Sequence, residues 1–386
     1  MDDIAHLRKT NHQNCSSKPA DWYEWKWQQR NSIKTVEGLA DSLLSLPVEQ
    51  ILKNAKDRKI QITPYYLDLI QKQAGTLAYD RLLNQVIPFW DEEAAGGYNG
   101  QTENWELSHE MKTPVCQHKY DNRVIIRTAN VCNAYCQFCF EALRTINTDH
   151  SKPALNKTHW HETLTYIKEN TQLEEVIFSG GDPLMLSDSK LKQILMDVRE
   201  ARPDILIRVH SRALTFNPFR ITDELLQAFE SAGVNAFGIH ICHPAEITDE
   251  FKAASRKMRN VVPIQFANIP VLKGINDDYE TLTALFLSLY RNGVVPYYLY
   301  HFMPFSPGSS EYRASVADVI GIMCRIKRRK SNIAVPEYVL PHMRGKYTVP
   351  LLESQDEFPR FEDTEDGGRV YAFTNWLGER HEWRDA

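Results

Sequence analysis

The sequence predicts an α/β fold in which a curled, mainly parallel sheet is covered by crossover helices. Short β-branched apolar runs alternate with helix-like stretches from residue 123 onward, in six such units. Alternation of this kind is typical of parallel strands joined by helices, and six units close a sheet or nearly close it. The predicted fold class is therefore α/β, a partial (β/α)6-type TIM barrel with an N-terminal helical region and a small C-terminal extension.

Three regions are expected along the chain. Residues 1–105 form the N-terminal helical region, where Leu39, Leu43 and Leu46 recur at helix-like spacing and Pro64 precedes a second helical stretch. Residues 106–345 form the barrel core, and residues 346–386 form an acidic, strand-containing extension. The core strands are expected at 124–128, 175–179, 205–210, 236–241, 264–269 and 297–302, with helices at 187–202, 222–231, 277–291 and 314–329.

Composition and charge exclude several classes of partner. The net charge is -5, and the basic run Lys327-Arg-Arg-Lys330 ends a helix-like stretch, so no nucleic-acid partner is expected. No apolar run approaches the roughly 18 residues of a membrane span, and the first residues lack the pattern of a secretory leader. Four of the seven cysteines are scattered along the chain, which predicts a reducing, cytoplasmic setting.

A tight triplet of cysteines is the strongest chemical signal in the sequence. Three and two residues separate Cys132, Cys136 and Cys139, so their thiolates can converge from one loop on a soft metal centre. Zinc and an iron–sulfur cluster both accept thiolate ligands. A zinc ion would need a fourth ligand or a water, whereas a four-iron cluster on three cysteines keeps one iron open for a small molecule. The spacing alone leaves both alternatives open.

Chemically versatile residues follow the predicted strands. Because a β/α barrel builds its site from the loops at the carboxyl ends of its strands, we expect these residues to lie on one face together with the cysteine loop. They are Gly180, Gly181, Asp182, His210, Arg212, Cys242, His243, Asn268 and His301.

Two motifs and several longer stretches carry a family resemblance. The cysteine loop opens a β/α series, and Phe178-Ser-Gly-Gly-Asp-Pro-Leu184 follows the next strand. The chain resembles the radical S-adenosylmethionine superfamily and, within it, the lysine 2,3-aminomutase family. The likeness covers roughly residues 20–380 and includes stretches 21–33, 62–67, 118–123, 243–247, 271–277 and 296–300.

The resemblance implies a radical enzyme. Cys132, Cys136 and Cys139 would bind a [4Fe–4S] cluster whose open iron chelates the amino and carboxylate groups of S-adenosylmethionine. An electron donor such as flavodoxin or ferredoxin would reduce the cluster, and the 5′-deoxyadenosyl radical formed would abstract a hydrogen from the substrate. A homo-oligomer acting on a small amino-acid-like molecule is implied as well. The residues implied in cofactor binding are Gly180, Gly181, Asp182, His243 and Asn268.

The family also uses pyridoxal phosphate, so that an amino group can move between adjacent carbons. Lys346, in Gly345-Lys346-Tyr-Thr-Val-Pro, falls on the family's Schiff-base lysine. Lys119 and Arg123 fall on the pair that holds the phosphate, with a lysine in place of the usual first arginine. The resemblance therefore implies a pyridoxal phosphate site at these three residues.

Three departures from the family pattern bear on the substrate. Glu141, two residues after the third cysteine, replaces the arginine that pairs with the substrate carboxylate, so either Arg144 takes over or the bound group differs. Met303 and Pro341 replace the two acids around the distal ammonium of lysine, which disfavours lysine as substrate because a buried ammonium needs a counter-charge. Lys346 and Glu141 are the expected catalytic positions.

Two alternatives are open. The same radical machinery can serve epimerisation, dehydrogenation or peptide modification without pyridoxal phosphate, an alternative motivated by Glu141, Met303 and Pro341. A zinc-stabilised, non-catalytic interaction module would also use the cysteines, but it would not explain the ordered polar residues at the strand ends.

Overall fold

A computed structural model describes most of the chain. The described residues are 18–43, 46–54, 58–89, 106–141, 145, 152–303, 309–352 and 358–384. Arg144, one candidate for the carboxylate partner, lies outside these ranges.

The N-terminal region is helical, as the sequence predicts. The helix at Pro64 begins there because the Thr63 hydroxyl accepts a hydrogen bond from the Tyr66 amide and proline suits the first helical position. The apolar faces form their own core, which also includes Ala134 and Phe216 from the barrel. The helices are α1 (Trp25–Arg30), α2 (Val36–Ser42), α3 (Val48–Asn54), α4 (Pro64–Lys72) and α5 (Leu77–Leu83).

The described part of the barrel is one ten-stranded sheet whose strands lie in chain order. The first three strands are antiparallel, the third to the ninth are parallel, and the tenth returns antiparallel to the ninth. The strands are β1 (Met111–Thr113), β2 (Cys116–Tyr120), β3 (Arg123–Ala129), β4 (Glu175–Gly180), β5 (Leu206–Ser211), β6 (Ala236–His240), β7 (Ile264–Val271), β8 (Val295–His301), β9 (Glu337–His342) and β10 (Gly345–Thr348).

Helices cover the outer face of this sheet, and polar side chains fix where most of them begin. Asn156, Ser187, Thr222, Thr248, Asp278 and Ser315 each accept a backbone N–H of the first turn. The helices are α6 (Lys157–Glu169), α7 (Asp188–Ala201), α8 (Ala213–Phe216), α9 (Asp223–Ala232), α10 (Asp249–Arg259), α11 (Tyr279–Arg291), α12 (Ser309–Tyr312) and α13 (Val316–Arg329). Among the described residues, no helix is long and apolar enough to cross a membrane.

Alternation along the strands separates the core from the site. Val124, Phe178, Val209 and Phe237 point outward and are fully buried against the helices. The residues between them point to the inner face, which carries charged and polar groups such as Arg208.

The two ends of the curled sheet approach each other through side chains. Lys119 on β2 donates a hydrogen bond to the Met343 carbonyl in the β9–β10 turn. A Cβ added to Gly345 would lie 3.5 Å from the Tyr120 ring. In the described residues β1 and β10 remain the sheet edges, so the barrel is partial in its hydrogen bonding, as predicted.

A separate three-stranded antiparallel sheet forms the described part of the C-terminal extension. It consists of β11 (Arg360–Asp363), β12 (Arg369–Thr374) and β13 (Arg380–Arg384).

The predicted fold class is confirmed, with additions. The parallel order gains a seventh strand, β9, which the sequence showed only as an apolar run near 333–340. Helices α6 and α10 are not among the helices expected from the sequence, because charged residues occupy much of each and obscure the apolar periodicity. The boundaries 1–105, 106–345 and 346–386 remain a prediction.

Two glycines allow β3 and β4 to meet closely at their carboxyl ends. A Cβ on Gly180, whose φ is +107°, would lie 2.7 Å from the Arg127 Cα, and one on Gly181 would lie 2.5 Å from the Val131 carbonyl oxygen. The Gly181 amide donates to the Ala129 carbonyl at 2.6 Å. The neighbouring backbone thus requires these glycines whatever they contact among ligands.

Replacing Gly181 with alanine should therefore lower the free energy of unfolding by about 1–3 kcal/mol, because backbone must move to admit the methyl group. Gly321→Ala is the matched control. It lies exposed on α13 with open space around its Cα, so alanine should stabilise the helix by up to about 1 kcal/mol. Urea unfolding measures both, and equal effects of the two substitutions would contradict the steric argument.

Candidate active site

Side chains of the N-terminal helical region hold the cysteine loop through hydrogen bonds. The Gln61 side chain donates to the carbonyls of Cys132 and Asn133, both at 2.9 Å. Arg58 donates to the backbone carbonyl of Gln137 at 2.6 Å and to its side-chain oxygen at 2.9 Å. Since these contacts join segments about 70 residues apart in sequence, the loop conformation is a tertiary feature.

The three thiols of the loop lie in a region shielded from water. Cys132 and Cys139 pack against the buried Tyr135. Burial, with the neighbouring thiols, raises the pKa of Cys139 to about 12 and that of Cys132 well above its ordinary value. Thiolates there need positive charge beside them, which a metal centre supplies. This donor set fits an iron–sulfur cluster.

In the described ranges, no three His, Cys, Asp or Glu side chains converge in the manner of a site for one metal ion. Thiolates that bind different irons of one cluster need not converge on a single point.

Arg212 joins the cysteine loop to the neighbouring strand ends. Its Nη1 contacts Cys136 Sγ at 2.6 Å, and its Nη2 donates to Glu246 Oε1 at 2.9 Å and to Gln85. Glu246, fully buried, also accepts from the amides of Cys242 and His243 at 2.8 and 2.7 Å. This charge pair fixes the loop after β6 relative to the cysteines.

The Asp182 carboxylate accepts hydrogen bonds from several groups of the protein. It accepts from the Leu184 amide at 2.9 Å, from the Ser211 hydroxyl at 2.8 and 3.0 Å, and from the Arg212 amide at 3.2 Å. Burial raises the pKa of its carboxyl, while these hydrogen bonds oppose the rise. Asp182 thus ties the glycine turn to the end of β5.

His243 follows the end of β6, and Asn268 lies on β7 opposite the last residue of β6. The His243 Nδ1 accepts from the Ala245 amide at 3.2 Å, and burial lowers its pKa. Asn268 is paired with His240 across β6 and β7, and its Oδ1 has no hydrogen-bond partner among the described residues. Asn268 therefore keeps an acceptor for a ligand.

Two histidines on the inner face are held neutral. Burial, together with the neighbouring imidazole of His240, keeps the pKa of His210 well below its ordinary value, and burial lowers that of His240 to about 4. Their ring centroids are 5.5 Å apart. A Cβ on Gly238 would lie 2.7 Å from His210, so this glycine makes room for the ring.

Lys346 lies against three tyrosines on the inner face. Its Nζ is 4.6 Å from the ring centre of Tyr298, 5.3 Å from Tyr300 and 5.6 Å from Tyr120. Burial, followed by the charges of Arg123 and Arg208, lowers its pKa to about 8. No carboxylate of the described residues lies within ion-pair distance of it, so its proton is unusually easy to lose.

The two expected phosphate ligands differ in their surroundings. Lys119 is buried and forms an ion pair with Glu110 at 2.8 Å, besides its bond to the Met343 carbonyl. Arg123 stacks on Tyr120, 4.4 Å from the ring centre, and donates to the Asn122 side chain at 3.1 Å. Arg123 lies beside Lys346, whereas Lys119 is engaged with the sheet edge.

Glu141 is paired with an arginine of this chain. Its Oε1 accepts from Arg127 Nε at 3.1 Å and from Nη2 at 3.0 Å, and both side chains are buried. In the sequence Glu141 is an acid that stands in place of an arginine. In the folded protein Arg127 compensates its charge.

The two positions where the family has acids around the distal ammonium of lysine carry no acidic residue here. Met303 is half-buried after β8, and Pro341 on β9 is the strand partner of Lys346. The structure thus places Pro341 beside the lysine, while the position of Arg144 stays undescribed.

Several structurally central residues escaped the sequence argument. Gln61, Arg58, Gln85 and Arg127 lie at positions without a recognisable chemical motif. Glu246 had a usable signal, because His243-Pro244-Ala-Glu246 has the spacing of a capping box.

Comparisons with known proteins agree with this geometry. Residues 126–286 match the Radical SAM superfamily. The chain is 30% identical over 364 residues to the L-lysine 2,3-aminomutase of Methanococcus maripaludis, covering 91% of this chain and 81% of the relative. It is 30% identical to the L-lysine 2,3-aminomutase of Acetoanaerobium sticklandii over 86% of this chain and 79% of the relative, and 30% identical to the glutamate 2,3-aminomutase of Clostridioides difficile over 86% and 77%.

The fold, the cysteine loop and these matches define a radical S-adenosylmethionine enzyme. Such an enzyme uses a [4Fe–4S] cluster and S-adenosylmethionine. Within that superfamily the chain belongs to the lysine 2,3-aminomutase family, whose reactions are isomerisations. The non-catalytic zinc-module alternative is therefore wrong.

Serine at position 132, 136 or 139 should lower the iron and sulfide content of anaerobically reconstituted protein to a small fraction of the wild-type value, because a hydroxyl replaces a thiolate ligand. Cys324→Ser is the control, since Cys324 lies on α13 and contacts the Leu352 carbonyl. Colorimetric iron and sulfide analysis measures the effect. Full iron content in all three loop variants would contradict the assignment.

Proposed function

We propose that the protein is a pyridoxal-phosphate-dependent aminomutase that moves an amino group between adjacent carbons of an amino-acid-like substrate other than lysine. The observation that carries the proposal is Lys346, a lysine held among three tyrosines with its pKa lowered to about 8. A neutral amine near physiological pH is what covalent attachment to an aldehyde cofactor requires. Lys346 is the strand partner of Pro341 on β9.

The chain's residues would share the work as follows. Cys132, Cys136 and Cys139 would hold the cluster, and the Asn268 oxygen and the neighbouring His243 would contact the S-adenosylmethionine. Arg212 and Asp182 would position these groups through the contacts they make within the protein.

At the other end of the inner face, Lys346 would bear the pyridoxal phosphate. Arg123 would face its phosphate, with Lys119 farther out at the sheet edge. When bound, the pyridoxal phosphate would stabilise the migrating amino group, and the S-adenosylmethionine would supply the hydrogen-abstracting radical. The buried walls exclude water from such reactive species.

A substrate other than lysine is favoured by the charge pattern. Neither Met303 nor Pro341 can compensate a distal ammonium, and Glu141 is already paired with Arg127. A carboxylate-bearing substrate is not repelled, because that pairing removes the uncompensated negative charge.

The setting of the reaction is part of the proposal. The described cysteines are all free, which supports a reducing, cytoplasmic location. Flavodoxin or ferredoxin would deliver the electron, and the enzyme would work as a homo-oligomer.

Borohydride treatment of enzyme loaded with pyridoxal phosphate should fix the cofactor to the peptide that contains Lys346, as peptide mass spectrometry detects. Lys346→Ala should lose the modification while keeping iron and the reductive cleavage of S-adenosylmethionine to 5′-deoxyadenosine. Lys327→Ala, at the surface end of α13, is the control. An unmodified Lys346 peptide in wild-type enzyme would favour the alternative radical reactions without pyridoxal phosphate.

The pH dependence of cofactor attachment follows from the lowered pKa. Because the neutral amine attacks, the rate of incorporation into the enzyme should rise as pH passes through about 8 and level off above it. The paired change Arg208→Gln/Glu175→Gln removes one cation that lowers this pKa, so the midpoint should move to higher pH. Stopped-flow absorbance gives the rate, and a midpoint near the ordinary value of lysine in the wild type would contradict the assignment.

A further inference from the structure

Arg127 is the centre of a buried hydrogen-bond network beside the cysteine loop. Its Nε lies 2.7 Å from Glu106 Oε1 and 3.1 Å from Glu141 Oε1, and its Nη2 donates to Gln117 Oε1 at 2.8 Å. Arg127 is 1% exposed. With the contact of Nη2 to Glu141 Oε1 at 3.0 Å, four contacts on two of its nitrogens hold the guanidinium in one orientation.

One nitrogen of this guanidinium lacks a hydrogen-bond partner among the described residues. Arg127 Nη1 is buried and makes no hydrogen bond with them. A guanidinium carries five N–H donors, two of them on Nη1. Leaving buried donors unsatisfied costs about 1–3 kcal/mol, so an acceptor that the described residues do not supply would stabilise this side of Arg127.

Among the described residues, the network around Arg127 is balanced in charge. Gln117 links it to Glu110, Lys152 pairs with Glu106 at 3.1 Å, and Lys119 pairs with Glu110 at 2.8 Å. The described cations and acids of the network are Arg127, Lys119, Lys152, Glu106, Glu110 and Glu141. A ligand at Nη1 would therefore meet an unpaired donor beside carboxylates that already have cationic partners.

The position of Arg127 lies between the two ends of the proposed site. Its Cα lies next to Gly180, and its partner Glu141 is two residues from Cys139, so it belongs to the cluster end. Arg123, which lowers the pKa of Lys346, lies on the same face of β3 four residues earlier, a rise of about 13 Å. Arg127 therefore lies on the inner-facing side of β3 between Arg123 and the cysteine loop.

We infer that Arg127 binds the carboxylate of the amino-acid-like substrate through Nη1, with Glu141 and Glu106 as its positioning residues. The inference rests on the proposed function for the nature of the substrate. Of the groups on an amino acid, the ammonium cannot accept a hydrogen bond and the carboxylate accepts most strongly from guanidinium. The strand supplies the guanidinium, and the loop position 141 supplies the acid that orients it.

The test compares a carboxylate with its neutral amide. Wild-type enzyme, reconstituted anaerobically with cluster, S-adenosylmethionine and pyridoxal phosphate, is titrated by calorimetry with each proteinogenic L-amino acid. The α-carboxamide of the tightest binder follows. The variant is Arg127→Gln/Glu141→Gln, which removes both charges together and so leaves neither unpaired.

The variant should bind the amino acid about 10- to 100-fold more weakly, the effect of one hydrogen bond to a charged group, and the carboxamide nearly unchanged. Arg199→Lys is the control. Arg199 donates to the carbonyls of Ala232 and Ile205 outside the site, so this substitution should leave the preference for acid over amide intact.

Each outcome of these titrations either supports or overturns the inference. Wild-type enzyme that binds the acid no better than the amide, or a variant that keeps the preference, overturns the inference and leaves the proposed function standing. Wild-type enzyme that binds none of the amino acids overturns both. The inference is supported if the preference for the acid over the amide is lost in the Arg127→Gln/Glu141→Gln protein and kept in the wild type and in Arg199→Lys.

Discussion

Burial of charge on the inner face of the curled sheet is the constraint on which the site depends. Charged groups that are buried away from water need partners of opposite charge, since an unpaired buried charge strongly destabilises the folded state. The partners come from different strands and loops, and each pair therefore fixes one element against another. The pairs are Arg212 with Glu246, Arg127 with Glu141, Lys119 with Glu110, and Arg208 with Glu175.

Lys346 is the exception to this pairing, and the exception is chemically useful. Three tyrosine rings surround its ammonium, and the nearby arginines disfavour the charged form. Aromatic faces stabilise a cation less than a carboxylate does. The lysine therefore holds its proton weakly, whereas Lys119 forms an ion pair with a glutamate.

The carboxyl ends of the parallel strands collect the cysteine loop, the glycine turn and the inner-face polar groups. Chain order and strand direction suffice for that grouping. The orientation of the loop needs more, because its carbonyls are held by Gln61 and Arg58 from the N-terminal helices. The helical region is thus part of the site, although its sequence carries no ligand motif.

The sequence by itself determined the alternation of strands and helices, the cysteine spacing and the placement of polar residues after strands, because these depend on local periodicity and on neighbours in the chain. It could not determine which buried charges meet. Arg127 and Glu141 are 14 residues apart and Arg212 and Glu246 are 34 apart, and only the folding of the loops over the strand ends brings each pair together. The meaning of Glu141 was decided in the same way. As a residue in a sequence it is an isolated acid, and in the folded protein it orients an arginine.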